Sequence, residues 1–268
     1  MIVQSRAIPL TIRPWSRTSH IVTWLTEDFG KITTPVKGAC RPKSAFLGQY
    51  DLFYTCDLHF YRRDHDGMHA IRECAPLELR ETLRDNWRAV AAAGYLADLI
   101  SRTAVTSTES RDLFAAWADT LDRLPQSQDL HLLMLWFELR LLKSLGLQPD
   151  LTICPECHPQ EQPWLRFSPA SGRFCCPHLA QRSDGEVTLS VHRRVRNLAK
   201  WLLQSPIPPA PRLKMPENEK KIAENENPLL GLSRFLGIFI KFHLDAPSVV
   251  RRVAWEMTEK TPAPSAAK

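Results

Sequence analysis

The nine residues Leu52-Phe53-Tyr54-Thr55-Cys56-Asp57-Leu58-His59-Phe60 decide the fold of the first part of the chain. Leu52, Tyr54, Cys56, Leu58 and Phe60 fall on one face of an extended strand, and Thr55, Asp57 and His59 fall on the other. A period of two with one apolar side marks a strand that covers a core. The turn Asp64-His65-Asp66-Gly67 follows, and residues 68–74 return as a hairpin partner. Upstream, residues 1–14 are extended and residues 21–26 are rich in β-branched and aromatic side chains. Glu27-Asp28-Phe29-Gly30 turns the chain, with glycine where a positive φ is wanted, and residues 31–37 run back. About five antiparallel strands in roughly eighty residues predict a small closed barrel of the OB type. A five-stranded open sheet would give the same string.

After Pro76 the period changes. Residues 79–102 place Leu83, Trp87, Val90, Tyr95, Leu96 and Leu99 at helical steps, Ser107-Thr108-Glu109-Ser110 caps a following helix, and residues 130–145 are apolar nearly all round. Gly146 and Pro149 stop that buried helix. Two hooks come next, Cys154-Pro155-Glu156-Cys157 and Cys175-Cys176-Pro177-His178. Each sets two soft ligands on one tight turn, and the loop between them lets the turns meet. That spacing suits tetrahedral Zn²⁺, with Cys154, Cys157, Cys175 and His178 as ligands and Cys176 and His158 as neighbours able to substitute. Buried thiols without metal, or a redox pair, are the competing readings. A redox pair is expected to open a helix after a strand, whereas Pro155 and loop residues follow here. Four protein ligands leave no open position for water, so such a zinc is structural.

Beyond the hooks, Ser190 is read as the cap of a helix. Val191, Val195, Leu198 and Leu202 lie on one side of it and Arg193, Arg196 and Lys200 on the other. Residues 205–227 are proline-rich and charged and read as an exposed loop; residues 228–244 return to buried helix; residues 258–268 have little to bury and read as a disordered tail. The expected organisation is therefore α+β. An N-terminal OB-fold β-barrel (1–78) precedes an α-helical domain (79–150 and 183–257) with a zinc-finger-like insert (151–182).

The chain has 268 residues, seven cysteines and a formal net charge of +6. Cys40, Cys56 and Cys74 are an odd remainder for a disulfide framework, no secretory signal pattern opens the sequence, and the apolar runs carry charges. A reducing, cytoplasmic setting is expected. The positive charge admits an acidic partner such as nucleic acid. No phosphate-binding glycine loop with its lysine is present. Asp64, His65, Asp66 and His69 serve a turn rather than acid–base chemistry, so the chain reads as a non-enzyme. Lys37, Arg41 and Lys43 stand on a loop that Gly38 and Pro42 keep out of the sheet, and they are the first candidates for phosphate contact. Arg193, Arg196 and Lys200 are a second surface, for which an ordinary solvated helix face is the bland alternative.

Thr26-Glu27-Asp28-Phe29-Gly30-Lys31, the loop Lys37-Gly38-Ala39-Cys40-Arg41-Pro42-Lys43-Ser44, and Phe137-Glu138-Leu139-Arg140-Leu141-Leu142 with Gly146, Pro149 and Cys154-x-x-Cys157 resemble, in order and spacing, the RecO family of bacterial DNA repair and recombination mediators. The resemblance covers about the first 180 residues by motif. It implies an OB-fold, a helical domain and a zinc-finger-like insert. It also implies binding of single- and double-stranded DNA, strand annealing, and loading of RecA with RecR onto DNA coated by single-stranded-DNA-binding protein, at the nucleoid. Two departures stand out: the second hook ends in His178 where the family has cysteine, and Cys40 and Pro42 replace arginines in the basic loop. A zinc-stapled protein–protein interaction module that never touches nucleic acid, and a zinc hydrolase, are the rival classes.

Overall fold

The computed structural model describes residues 1–63, 67–103, 105, 110–154, 163–175, 187–206 and 227–259. Its first element, β1 (Ile2–Ser16), is long because it serves two partners. Residues 2–7 pair antiparallel with β4 (Thr55–Tyr61), and residues 7–16 pair with β2 (Ser19–Thr26). The register to β2 shifts between Pro9 and Thr11. A bulge beside a residue without an N–H bends the strand and lets it pass from one partner to the other. β3 (Gly30–Val36) and β5 (Ala70–Glu78) complete a sheet of order β3-β2-β1-β4-β5.

That order is OB-like, but the expected closed barrel is not formed. β3 and β5 are the sheet's two edges, joined by the His69 N–H donating to the Thr33 carbonyl at 2.8 Å. The edge of β3 explains the gap. Its odd-numbered residues turn their backbone away from β2: the Lys31 N–H goes instead to the Val105 carbonyl at 3.1 Å, and Pro35 has no N–H to give. A ladder cannot be extended along such an edge.

The inner face holds Ala7, Val22, Trp24, Val36, Cys56, Leu58 and Phe60, all fully buried. The alternation expected over residues 52–60 holds only from Cys56. Phe53 takes a positive φ of 69° and Leu52 is 37% exposed, because the chain leaves the sheet there. Phe53 instead turns into the helical core, edge-on to Trp117 at 6.3 Å. Ile8, Leu10 and Leu25, on the outer face of the sheet, join the same core. The sheet and the helices therefore share apolar contacts rather than meeting across a polar seam.

The helical expectation over 79–102 divides into a short α1 (Glu81–Arg84) and α2 (Trp87–Arg102), since the Asn86 side chain accepts the Ala89 N–H and starts a new helix. α3 (Ser110–Arg123) and α4 (Leu130–Ser144) follow; Asp129 caps α4 by accepting from the Leu132 N–H. The end of α4 is a glycine stop. Gly146 has φ 69°, and the Leu147 N–H reaches back to the Leu142 carbonyl at 2.8 Å. A three-stranded antiparallel sheet of order β7-β6-β8 comes next, with β6 (Trp164–Ser168), β7 (Arg173–Phe174) and β8 (Leu189–His192). α5 (Arg193–Gln204), α6 (Pro228–Leu244) and α7 (Ser248–Thr258) finish the domain. Ser190 and Val191 belong to β8, so Ser190 caps nothing; the cap of α5 is His192, whose ring accepts the Arg194 N–H. Residues 207–226, 260–268 and the turn 64–66 lie outside the described residues. Among the described residues no helix is long and apolar enough to cross a membrane.

One buried ionic group sits inside the helical core. Glu138 of α4 is fully buried and receives Arg251 Nε at 2.8 Å, Arg251 Nη2 at 2.9 Å and the Tyr95 hydroxyl at 2.6 Å. Arg251 also donates to Ser233 Oγ at 3.1 Å. Burial, and then the Glu138 charge, push the Tyr95 phenol well up, so it stays a donor. Burial alone would lower the Arg251 guanidinium, but Glu138 overrides it and the shift is upward.

Candidate nucleic-acid interface

The registers bring one end of the first sheet together. Pro14 faces His20 across β1–β2, and His20 faces Val36 across β2–β3. The β1–β2 turn and the start of the loop after β3 are therefore neighbours. That loop folds back onto the turn: the Gly38 N–H donates to Ser19 Oγ at 3.0 Å and the Cys40 N–H to the Thr18 carbonyl at 3.1 Å. Gly38 has φ 68°, which the tight return requires. Lys37, Arg41 and Lys43 are all exposed on this loop, as the sequence suggests.

Sequence reasoning missed the other half of the patch. Arg13, Trp15 and Arg17 stand exposed on the adjoining β1–β2 hairpin, Trp15 with half its surface free. Among the described residues, none of these five cations makes an ion pair. The signal was present in the composition. Glu27 and Asp28 are the only acids in the first fifty residues, and they lie at the opposite end of the β2–β3 hairpin. Five cations without an ion pair among the described residues, on the same hairpin and loop as an exposed indole, are the side-chain types that attract phosphate and stack on bases.

The second candidate surface is divided. Lys200 is exposed and Arg193 half-buried on α5, but Arg196 turns inward and donates through Nε to the Leu151 carbonyl at 2.7 Å. Burial, with Arg193 nearby, lowers the Arg196 guanidinium. Arg196 thus braces the segment leading into the first hook. Beside α5, a cavity of about 290 Å³ opens between β6, β8, α5 and α6, lined by Trp164, Val191, Val195, Phe235 and Ile238, with His192 and Arg234 among them.

Of the four expected zinc ligands, Cys154 and Cys175 are described and half-buried; Cys157 and His178 lie outside the described residues, as do Cys176 and His158. Among the described residues no group of three or more metal-binding side chains occurs. The bases of the two hooks do meet. Asp150 forms a parallel bridge with Arg173, and its N–H donates to the Gly172 carbonyl at 2.8 Å. The Cys175 N–H is held by the Arg166 carbonyl at 2.8 Å. Cys154 and Cys175 follow that bridge, four residues after Asp150 and two after Arg173. The Thr152 hydroxyl and N–H both donate to Asp150 and hold its carboxyl below the usual range.

Residues 1–80 match the family model for the recombination protein O N terminal domain, and residues 84–252 match that for the recombination protein O C terminal domain. The chain belongs to the RecO family. A protein of Alkaliphilus metalliredigens named DNA repair protein RecO is 26% identical over 248 residues, which span 91% of this chain and 95% of that protein. One of the same name from Prosthecochloris aestuarii is 24% identical over 82% of this chain and 87% of its own. Another from Chlorobium limicola is 28% identical over 58% and 59%.

In this RecO-family chain, two of the stretches that carried the resemblance have structural work. The turn after β2 is a docking clamp. Thr26 Oγ1 donates to the Gly30 carbonyl at 2.7 Å, Asp28 accepts from Arg111 at 2.7 Å, and the Glu27 carbonyl accepts from Ser110 Oγ at 2.7 Å. Lys31 Nζ reaches the Ser101 carbonyl at 2.6 Å and the Thr103 carbonyl, at the C-terminal end of α2 where a cation is favoured. The stretch 137–142 contributes Glu138 to the buried ionic group.

Proposed function

We propose that this chain is a DNA-binding recombination mediator in DNA repair. It binds single- and double-stranded DNA, promotes annealing of complementary strands and, with RecR, loads RecA onto DNA coated by single-stranded-DNA-binding protein. The observation that carries the reading is the basic end of the first sheet, where the loop bearing Lys37, Arg41 and Lys43 folds onto the β1–β2 hairpin that exposes Arg13, Trp15 and Arg17. Cations there neutralise two phosphate backbones at once, and the indole offers any base a face to stack on. Annealing needs no covalent step. Arg193 and Lys200 on α5 are a second, separate candidate site, with Arg196 supporting the hook. The partners rest on family membership. The cavity beside α5, apolar with Arg234 and His192, suits the acidic and hydrophobic tail of single-stranded-DNA-binding protein. One structural Zn²⁺ held by Cys154, Cys157, Cys175 and His178 would close the hooks and supply stability rather than chemistry.

The test is a titration of a labelled single-stranded oligonucleotide across a salt series. If all five cations touch phosphate, the log–log slope is about −3.5, with little dependence on base sequence. Changing Lys37, Arg41 and Lys43 to glutamate flattens it by about two. Adding Arg13→Glu and Arg17→Glu removes most of the rest. An Arg193→Glu, Lys200→Glu variant that loses binding, beside a loop variant that behaves as wild type, moves the main site to the helical domain. No retardation of DNA at low salt returns the chain to the interaction-module class.

A further inference from the structure

We infer that Cys40 is a reactive thiol, a site for peroxides and small electrophiles set into the basic loop and tuned by His20, and that its modification weakens the loop's hold on nucleic acid. The second half of this inference rests on the function proposed above. The site is a constellation rather than a single sulfur. Cys40 is exposed, and its Sγ lies 3.2 Å from His20 Nε2; His20 Nδ1 lies 2.8 Å from the Tyr50 hydroxyl. Tyr50 is buried, packed at 5.7 Å against Trp24 and edge-on to the His20 ring at 6.1 Å, so the imidazole is held from behind.

The proton positions follow from that geometry. Burial first, and Cys40 second, push the Tyr50 phenol up, so it keeps its proton and donates to Nδ1. Nε2 then carries the other ring hydrogen and points it at Sγ. The sulfur therefore sits within hydrogen-bond reach of an imidazole that is itself oriented from behind, exposed on a loop that carries Lys37, Arg41 and Lys43, the electropositive setting in which thiols react. The backbone fixes the arrangement, since the Cys40 N–H is tied to Thr18.

The other thiols of the same sheet are built for the opposite outcome. Cys56 and Cys74 are buried at 0% and 4% exposure, and both sulfurs lie 3.7 Å from the Gln49 carbonyl. The hydrogen bond to Cys74, and then burial, push the Cys56 thiol up. The protein thus contains one exposed thiol beside an imidazole and two buried ones in the adjoining sheet. With a peroxide, the sulfur attacks one oxygen and the O–O bond breaks. The sulfur becomes a sulfenic acid, oxidised by two electrons, and the thiol proton leaves with the other oxygen as water. With iodoacetate, a carboxymethyl thioether forms and iodide leaves.

The experiment uses the full chain, iodoacetate, timed quenching and mass mapping of each cysteine. Cys40 should be alkylated about tenfold faster than free cysteine at the same pH. Cys56 and Cys74 should react only on unfolding. His20→Gln should bring Cys40 down to the free-cysteine rate, and Tyr50→Phe, which keeps the ring packing, should slow it partway should His20→Gln fail to fold. Equal Cys40 rates in wild type and in whichever of these variants folds overturn the thiol site. In the second arm, carboxymethylated protein is titrated with single-stranded oligonucleotide; its salt slope should fall by about 0.7, as one phosphate contact is lost. Peroxide should weaken wild type and leave Cys40→Ser unchanged. Identical binding before and after modification overturns the coupling. Untreated protein that binds no DNA overturns the proposed function and the coupling with it, while the alkylation rates still decide the thiol site.

Discussion

Replacing Arg251 by methionine is expected to be among the most damaging single changes in the helical domain. Met keeps the length and most of the volume of the stem but removes the guanidinium. Glu138 then keeps only the Tyr95 hydroxyl at 2.6 Å and loses both Arg251 bonds, at 2.8 and 2.9 Å, inside a site with no access to water. Breaking one side of a buried pair costs about 3–5 kcal/mol, because the remaining charge is stranded. That is a large share of the roughly 5–15 kcal/mol by which domains are stable. At about 2–4 °C per kcal/mol for a chain of this size, the melting temperature should fall by about 10 °C. Urea unfolding followed by circular dichroism gives the free energy directly. The decisive comparison is the double variant Glu138→Leu, Arg251→Met, which removes the stranded charge and refills the space with carbon. It strands the Tyr95 hydroxyl, which costs about 1–3 kcal/mol, but removes the larger penalty of the lone charge, so it should be clearly more stable than Arg251→Met. Should Arg251→Met cost less than about 1 kcal/mol, or the double variant be as unstable as the single one, the pair does not govern the core.

Four further outcomes are expected. Purified under metal-replete reducing conditions, the protein should carry one zinc per chain by elemental analysis, and Cys154→Ser should lose it together with stability, since metal and fold are coupled. Gly231→Ala should destabilise by about 1–3 kcal/mol in the same urea assay, as the added Cβ would sit 2.4 Å from Val195 Cγ2 and force α5 off α6. Lys31→Met should cost about 1–3 kcal/mol and speed amide exchange in β3 and the last turn of α2, where its two carbonyl contacts are lost. For Asp150 the folded pKa lies below its ordinary 3.8, so its contribution is present above that pH and disappears as pH falls through the lower folded value. Asp150→Ala should remove that share of the acid-limb slope in a pH series.

The sequence-based reading succeeded where a local pattern and its tertiary use agree. Residues 56–60, the apolar stretch 130–145 and the Gly146 stop are of this kind, since periodicity and backbone conformation are set within a few residues. It failed where a distant contact overrides local pattern. Phe53 lies within the run read as a strand, but its neighbour across space is Trp117, and nothing within ten residues says so. Val191 fits a helical face by spacing, yet pairing with Leu165 makes it a strand residue. Barrel closure depended on which edge groups of β3 were already engaged, and that required knowing that Val105 meets Lys31. For the site, the loop cations were visible because glycine and proline advertise a loop. Arg13 and Arg17 read as ordinary strand and turn residues until the register set them beside that loop. Arg196 looked like its neighbours on the helix, and only the Leu151 carbonyl distinguishes it.

The shared core beneath the first sheet has a mechanical meaning. Ile8, Leu10, Leu25 and Phe53 are buried among helical side chains, and the turn from Thr26 to Lys31 is bolted to α2 and α3. Domains joined by a polar seam swing on their linker, whereas a seam of core side chains resists shear. The basic end of the sheet is therefore held at a fixed distance and angle from the cavity beside α5. The molecule is a gauge block rather than a pair of tongs: the spacing between its two surfaces is already set.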